Sequence, residues 1–519
     1  MPLDLHDSPI SHLFNKNDPP DPAELVVARA GFDFLTARMA ELRLQFRELE
    51  HQLDHHKNIL SPWRRIPFEM LGEIFAHVIP STLDKAGRKE LIDLCLVCRM
   101  WCDAAKLTNR LWAGLRVELC SFELYPWSDI SKWFKKSGDY PRTLAIKVKT
   151  EHFPCRSIEN CILAASGLPE FLAQGLPISN LILSSTNAAC FRQTILGIKS
   201  HQTQDGKLRP WDTLSSLSIS ISQEWMLDLP NFLSIDIPRS LTSLTLNPPT
   251  WDSLVILNHG WAAPEDSPLP PQLLQQLTAF HIRCNWGGTF IFTTLQHCTK
   301  VQTLTIDLRD TELDWDEDQV FMQTIIHKRL FLPNLRTLRL RQAIPSAVTQ
   351  IFKIFKAPRL VNLDISFEWF ENDEVPNSYD LEESFGDILW DCLDHGRQPV
   401  LRTLRLHYVH MSPQAFARTL YRLDSLTRLT LDHVDFDDYN ATQELERMWA
   451  QEYVPGNPRS RVWGALPNIR VLELLDLHKT FHLENTMNEL AIYYRDVHFR
   501  ATYRERKCSS CQRDSQDWP

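Results

Sequence analysis

The sequence predicts an α/β chain: a heptad-bearing, coiled-coil-like helix, then a compact three-helix block, then an irregular leucine-rich-repeat α/β solenoid. Three observations carry this. Apolar residues alternate at spacings of 3 and 4 from Leu25 to Leu53. Two further apolar stripes at helical spacing fall within residues 63–118. From about residue 140 onward a template L-x-x-L-x-L recurs along the chain. A sustained 3-4 spacing is the seam of a helix, and a fixed template recurring at intervals of tens of residues marks a repeat architecture.

Bulk composition narrows the function classes. The 519 residues exceed a single ordinary core. The hydrophobic fraction of 43% and charged fraction of 23% are those of a soluble globular protein. A net charge of −10 disfavours nonspecific binding to nucleic acid or an anionic membrane, both of which need a basic face. Only 16 glycines are present, and no G-x-x-x-x-G-K-[ST] or G-x-G-x-x-G occurs, so a phosphate-cradling loop is not expected. Twelve cysteines scattered over the whole length fit a reducing compartment better than a disulfide scaffold. MPLDLHDSPI is acidic and lacks an apolar leader core, and no apolar run reaches the ~20 residues that span a bilayer. A cytoplasmic or nuclear location is expected.

Residues 1–23, rich in Pro, Asp and His, are predicted to be a disordered tail. The heptad-bearing helix covers 24–60. Its seam is Leu25, Ala28, Phe32, Leu35, Met39, Leu42, Phe46, Leu49 and Leu53, with Arg, Glu and Gln on the flanks. Such a seam serves either a homodimer or packing within one chain. Ser61-Pro62 stops the helix, because proline cannot continue it.

In 63–118, Pro67 suits a first helical turn. Met70, Leu71, Ile74, Phe75 and Val78 form one stripe. Leu91, Leu94, Cys98, Trp101 and Ala105 form a second, predicted as one helix, and Leu111-Trp112 adds two bulky anchors. A unit this small is marginal alone, so its wide apolar stripes invite a partner.

The stretch "IPFEMLGEIFAHVIP…LIDLCLVCRMWCDAAKLTNRLWAGLRV" resembles an F-box, in particular the F-box-like variety common in mushroom-forming fungi. The matching features are Ile66-Pro67 with Glu69, Leu71 with Ile74-Phe75, then Leu96-Val97-Cys98, Trp101 and Leu111-Trp112. The resemblance spans about 55 residues plus the upstream helix. Two features depart from it: a longer link at 81–90, and Asn109 where a proline often precedes Leu-Trp. The resemblance implies a docking module for a Skp-type adaptor, which joins it to a cullin–RING ubiquitin ligase while the rest of the chain selects a protein substrate. The docking residues it implies are Ile66, Pro67, Met70, Leu71, Ile74, Phe75, Val97, Trp101, Leu111 and Trp112. Simple core packing is the competing role for each.

The template begins at 178, 214, 241, 277, 301, 335, 360, 401, 426 and 469, with "YPRTLAI" at 140–146 as a degenerate first member. Its intervals alternate between short, 24–27 residues, and long, 34–43. The short ones match leucine-rich repeats. Each template is predicted to be a short strand with its leucines inward and the residues between them outward. "SAVTQIFKIF" and "PQAFARTLYRL" are predicted return helices. The solenoid is placed at 140–495 and a second disordered tail at 500–519. The outward residues between the last two leucines form a predicted column: Ser218, Thr245, His281, Thr305, Arg339, Asp364, Arg405, Thr430 and Glu473. Within it Arg339, Asp364 and Arg405 alternate in sign and could pair laterally.

Three acidic, aromatic stretches follow strands: 307–319, 367–374 and 432–440. They are expected on one edge of the solenoid, where Trp315, Asp316, Asp318, Trp369, Phe370, Asp373, Phe436 and Asp437 would suit a substrate with a basic segment. No catalytic residue, cofactor or metal is expected. Cys95, Cys98 and Cys102 fall on or beside a buried stripe, Cys508 and Cys511 lack a second pair, and His51, His55 and His56 lie on a solvated face. No G-x-S-x-G or H-E-x-x-H occurs. The expected function is therefore a substrate-recognition adaptor of a Skp–cullin–F-box ligase rather than an enzyme. The alternatives are a leucine-rich interaction scaffold without ligase role and, further off, a hydrolase on an irregular α/β fold.

Overall fold

The computed structural model describes residues 10–15, 17, 19–119, 125–148, 161–185, 188–201, 209–221, 237–248, 269–283, 288–308, 320–367, 384–394, 400–436, 452–453, 461–462, 466, 468–477 and 497–503. The chain folds as two compact units. One takes Met1–Phe75 and Leu94–Leu107, the other Ala76–Asp93 and Thr108–Pro519.

The first unit contains α1 (Pro22–Leu60), a 39-residue helix that starts two residues before the predicted span. Asp21 sets the start. Its carboxylate accepts the Glu24 amide at 2.7 Å, and the Glu24 carboxylate accepts the Asp21 amide at 2.8 Å. These reciprocal bonds satisfy donors that every helix N-terminus leaves open. α1 has no buried residue along its length. α2 (Phe68–Val78), α3 (Lys85–Val97) and α4 (Arg99–Leu107) follow, with α2 and α3 giving residues to both units. The second stripe is therefore two helices rather than one, divided at Cys98. The two bury different residues, Leu91 on α3 and Ala104-Ala105 on α4, so the continuous 3-4 spacing did not report one face.

The second unit is built on strands: β1 Gly114–Leu119, β2 Thr143–Val148, β3 Asn180–Ser185, β4 Ser216–Ile221, β5 Ser243–Asn247, β6 Ala279–Arg283, β7 Thr303–Asp307, β8 Leu330–Phe331, β9 Thr337–Ala343, β10 Phe355–Lys356, β11 Asn362–Phe367, β12 Thr403–Met411, β13 Arg428–Phe436, β14 Glu452–Tyr453, β15 Arg461–Val462, β16 Val471–Leu477 and β17 His498–Tyr503. Thirteen of them form one sheet in chain order, β1-β2-β3-β4-β5-β6-β7-β9-β11-β12-β13-β16-β17, and every neighbouring pair is parallel. β8 and β10 pair separately, as do β14 and β15.

The sheet outruns its predicted limits. Residues 114–119, assigned from the sequence to the helical block, are its first strand, because Leu115, Val117 and Leu119 alternate inward. "YPRTLAI" contributes β2. At the other end β17 pairs with β16, so part of the predicted C-terminal tail is ordered strand. The predicted return helices appear as Pro345–Ile354 and Pro413–Tyr421.

Strand starts share one hydrogen-bonding arrangement. The carbonyl of the second template residue accepts two successive amides from the next strand. Arg142 O takes Ser179 and Asn180, Ser179 O takes Ser215 and Ser216, and the pattern continues through Ser215, Thr242, Thr278, Gln302, Arg336, Val361, Arg402 and Thr427 at 2.7–3.1 Å. Where that residue is Ser or Thr, its hydroxyl adds a third donor, as from Ser215 to Ser179 O at 3.0 Å and from Thr427 to Arg402 O at 3.1 Å.

Strands alternate half-exposed and buried residues, as in β3, β4 and β11. The template leucines are the buried set, each worth about 1.5–3 kcal/mol relative to exposure. Behind them pack aromatic side chains of the return segments. Phe292 meets Phe355 and Phe352 meets Phe385 edge-on, with ring centroids 6.2 and 5.8 Å apart.

The link at 81–90 closes onto β1. The Leu83 amide donates to the Gly114 carbonyl at 3.1 Å, and the Arg116 amide to the Leu83 carbonyl at 2.7 Å. A side chain at Gly114 would overlap the Ser81 carbonyl oxygen. Gly114→Ala is expected to destabilise the protein by about 1–3 kcal/mol, read as a lower urea midpoint at unchanged slope.

Candidate functional site

The implied docking residues divide by burial. Leu71 and Phe75, one turn apart on α2, are buried, and the Phe75 ring lies 5.1 Å from that of Trp101, which is half-buried. Leu111 and Trp112 are buried as well. Trp112 packs on Trp133 at 4.8 Å, with the Lys136 ammonium 4.1 Å from the Trp112 ring centre. Leu71, Phe75, Leu111 and Trp112 are thus core residues of this chain, the competing role that the sequence left open for each.

The remaining implied residues stay accessible. Ile66 is half-buried; Pro67, Met70, Ile74 and Val97 are exposed. Met70 is 59% and Val97 59% accessible, unusual for side chains that gain from burial. Three more apolar residues in the same unit are exposed: Phe68 on α2 and Leu107 on α4, which were not singled out from the sequence, and Leu96 on α3, which was quoted in the motif but not as a contact. Phe68 immediately precedes Glu69 in the quoted motif and falls outside the stripe read from the spacing. The α1 seam is accessible too, from Leu25 to Leu53, together with Val26, Phe34 and Leu44 outside it.

Three helical cysteines were expected to be buried. Cys98 is exposed, and Cys95 and Cys102 are intermediate. The thiols of Cys298 and Cys392 are buried, and burial pushes both up to about 12, so they are inert at neutral pH. His51 and His55 face solvent on α1, their rings meeting edge-on at 4.4 Å.

On the sheet the predicted outward column is a single register row. Ser218, Thr245, His281, Thr305, Arg339, Asp364, Arg405, Thr430 and Glu473 are successive cross-strand partners. Its expected lateral ladder is replaced by a diagonal one. Asp364 is gripped by both terminal nitrogens of Arg341, at 3.1 and 2.5 Å, and Arg405 donates to Asp432 at 2.7 Å. Each ion pair joins the column position on one strand to the next outward position on its neighbour. Such part-exposed pairs contribute ~0–1 kcal/mol each. Thr430 donates to Glu473 at 2.8 Å, completing the row.

Burial lowers the His281 imidazole below its ordinary range against the pull of Asp307, and lowers His407 in the same way against Asp432. Burial works to raise the Asp432 carboxyl, but hydrogen bonds from Arg405 and His433 outweigh it and hold that group below its usual value.

Trp315, Asp316, Asp318, Trp369, Phe370, Asp373 and Asp437 lie outside the described residues, as do Cys508 and Cys511; Phe436 closes β13. No helix among the described residues is long and apolar enough to cross a membrane.

No family model matches the chain, and no curated protein matches it.

Burial separates two roles within α2. Phe75→Ala is expected to cost about 3–5 kcal/mol of unfolding free energy. Met70→Lys, five residues away, is expected to stay within about 0.5 kcal/mol. Equal losses in denaturant titrations would show that the two side chains do not differ as described.

Proposed function

We propose that the chain is a substrate-recognition adaptor of a Skp–cullin ubiquitin ligase, with no catalytic chemistry of its own. The observation that carries this is α2. It buries Leu71 and Phe75 yet presents Phe68, Met70 and Ile74 to solvent, in a stretch that resembles an F-box. A short helix with one face in its own core and apolar side chains outward is suited to docking, since interface energy concentrates in such anchors. In this reading Ile66, Pro67, Met70, Ile74, Val97 and Trp101 meet the Skp-type adaptor. Leu71 and Phe75 support them from within the same unit, and Leu111 and Trp112 belong to the core of the other.

The parallel sheet, read as a leucine-rich-repeat solenoid, would hold a protein substrate. The acidic stretches at 307–319, 367–374 and 432–440 fit a substrate with a basic segment. The mechanism is proximity: the transfer machinery is brought to a bound substrate, which raises effective concentration. A second reading, a scaffold without ligase role, is favoured by the burial of Leu71, Phe75, Leu111 and Trp112, four of the ten implied contacts.

Capture of the full chain with a Skp-type adaptor and a cullin separates these. Both partners are expected to co-purify, and Met70→Lys with Ile74→Asp is expected to abolish capture without lowering the melting temperature. Skp without cullin would favour the scaffold, and neither partner would refute docking altogether.

For α1 we propose pairing with a second copy of the chain. The seam from Leu25 to Leu53 is exposed over a 39-residue helix, long enough for a stable two-stranded coil. Light scattering on the full chain is expected to give twice the monomer mass of 60.4 kDa, reverting to monomer in Leu35→Glu with Leu42→Glu. A monomeric wild type at micromolar concentration would rule this out.

A further inference from the structure

One row of the sheet brings together groups that no part of the adaptor reading uses. Among the described residues, one set of three groups with metal-ligand chemistry has its donor atoms all within 4.8 Å of one another: His407, Asp432 and His433. The geometry points to a divalent transition-metal site across the middle of β12 and β13 and the end of β16, with His407 Nε2, an Asp432 carboxylate oxygen and His433 Nδ1 as ligands and Asp476 closing the fourth corner.

Distances support this. His407 Nε2 lies 3.7 Å from Asp432 Oδ2, and His433 Nδ1 lies 3.1 Å from Asp432 Oδ1 and 3.5 Å from Asp476 Oδ2. Zinc bonds of about 2.0–2.2 Å to nitrogen and oxygen set tetrahedral edges of about 3.3–3.5 Å. The three distances lie within a few tenths of an ångström of such edges; the two to Asp432 run to different oxygens, so a bound ion turns the carboxylate to present one of them to both imidazoles. Asp476 is nearly half exposed. Two imidazoles with carboxylates suit zinc and its neighbours rather than magnesium or calcium, which take oxygen ligands.

The surroundings have the form of an outer shell. Ser366 Oγ lies 3.0 Å from His407 Nδ1, so the hydroxyl is placed to accept an Nδ1 proton in the tautomer that leaves Nε2 free to bind a metal. Arg405 donates to Asp432 Oδ2 at 2.7 Å, which orients the carboxylate and leaves Oδ1 toward His433. The guanidinium charge costs affinity for a cation, but on the oxygen farther from His433.

The backbone explains how neighbours converge. Consecutive strand residues face opposite sides, so Asp432 and His433 should point apart. His433 instead has φ 53°, with Tyr408 at 56° on β12 and Asp476 at 51° on β16. Left-handed residues within a strand interrupt the regular ladder and re-aim the side chains there. Gln342 on β9 has the same bend, φ 46°, so the bend belongs to the sheet and only the ligand chemistry is particular to this end. The positive φ of Tyr408 is unfavourable for a bulky side chain, a kind of strain that concentrates at functional sites.

The test uses the full chain, stripped with chelator and titrated with Zn²⁺, then with Co²⁺ as a spectroscopic probe. One equivalent of Co²⁺ is expected to give visible ligand-field bands of a tetrahedral nitrogen–oxygen site, without the near-ultraviolet thiolate band that a cysteine site would show. Zn²⁺ is expected to raise the melting temperature. His433→Ala should abolish both responses. Asp476→Asn, a part-exposed change that leaves packing intact, should weaken Zn²⁺ affinity about tenfold or more. A wild type with no tetrahedral Co²⁺ spectrum, a thiolate signature alone, or unchanged Zn²⁺ affinity in folded Asp476→Asn and His433→Ala would overturn the site. None of these readouts depends on Skp docking.

Discussion

The sheet depends on a shared carbonyl. At the start of each template strand one backbone oxygen accepts two successive amides from the next strand, from Arg142 through to Thr427. A parallel ladder has no hairpin to set its register, so something must align each strand with the one before it. The double acceptor does this: it places residue two of one template against residues two and three of the next. A slip by one residue would break both bonds and turn every leucine outward. Ser and Thr at that position, as at Ser215 and Thr427, reinforce the oxygen with a hydroxyl, and one residue on the amides of Asn180 and Asn362 donate to the hydroxyls of Thr143 and Thr337 on the preceding strand.

With register set, charge follows. The outward row runs unbroken across β4 to β16, yet its ion pairs step diagonally. Reach explains the diagonal. Strand side chains stand roughly perpendicular to the sheet and lean along the strand, and a long arginine spans to a carboxylate one outward position away. The same geometry places Arg405 against Asp432 and so prepares the carboxylate between two histidines. Polar rows of this kind add little stability, and their value lies in the positions they hold for other groups.

The helical elements follow a different logic. α1 forms from its own capping box and heptad spacing and buries nothing, whereas α2 balances two faces, Leu71 with Phe75 inward and Met70 with Ile74 outward. All four residues have helical spacing and apolar chemistry. The proposed adaptor function needs both kinds: buried ones to hold the helix straight, exposed ones to meet a partner. The proposed metal site sits on the other unit, on strands β12, β13 and β16, so docking and metal binding are physically separable.

The strands, their alternation and the outward row were legible in the residues themselves, because period-two burial and a recurring template encode them directly. "LTSLTL" and "LRTLRL" specify inward leucines wherever they occur. The break at Cys98, the strand at Gly114–Leu119 and the strand at His498–Tyr503 were not legible, since each depends on a neighbour many residues away. Nor was the meeting of His407, Asp432 and His433: two of the three are sequence neighbours that an ordinary strand would send to opposite faces. By itself the sequence determined the local periods, the helix cap at Asp21 and the spacing of the repeats, which are interactions over a few residues. Only the tertiary structure decided which apolar residues became core and which stayed exposed, and which side chains met, because burial and convergence depend on strands and helices distant in the chain.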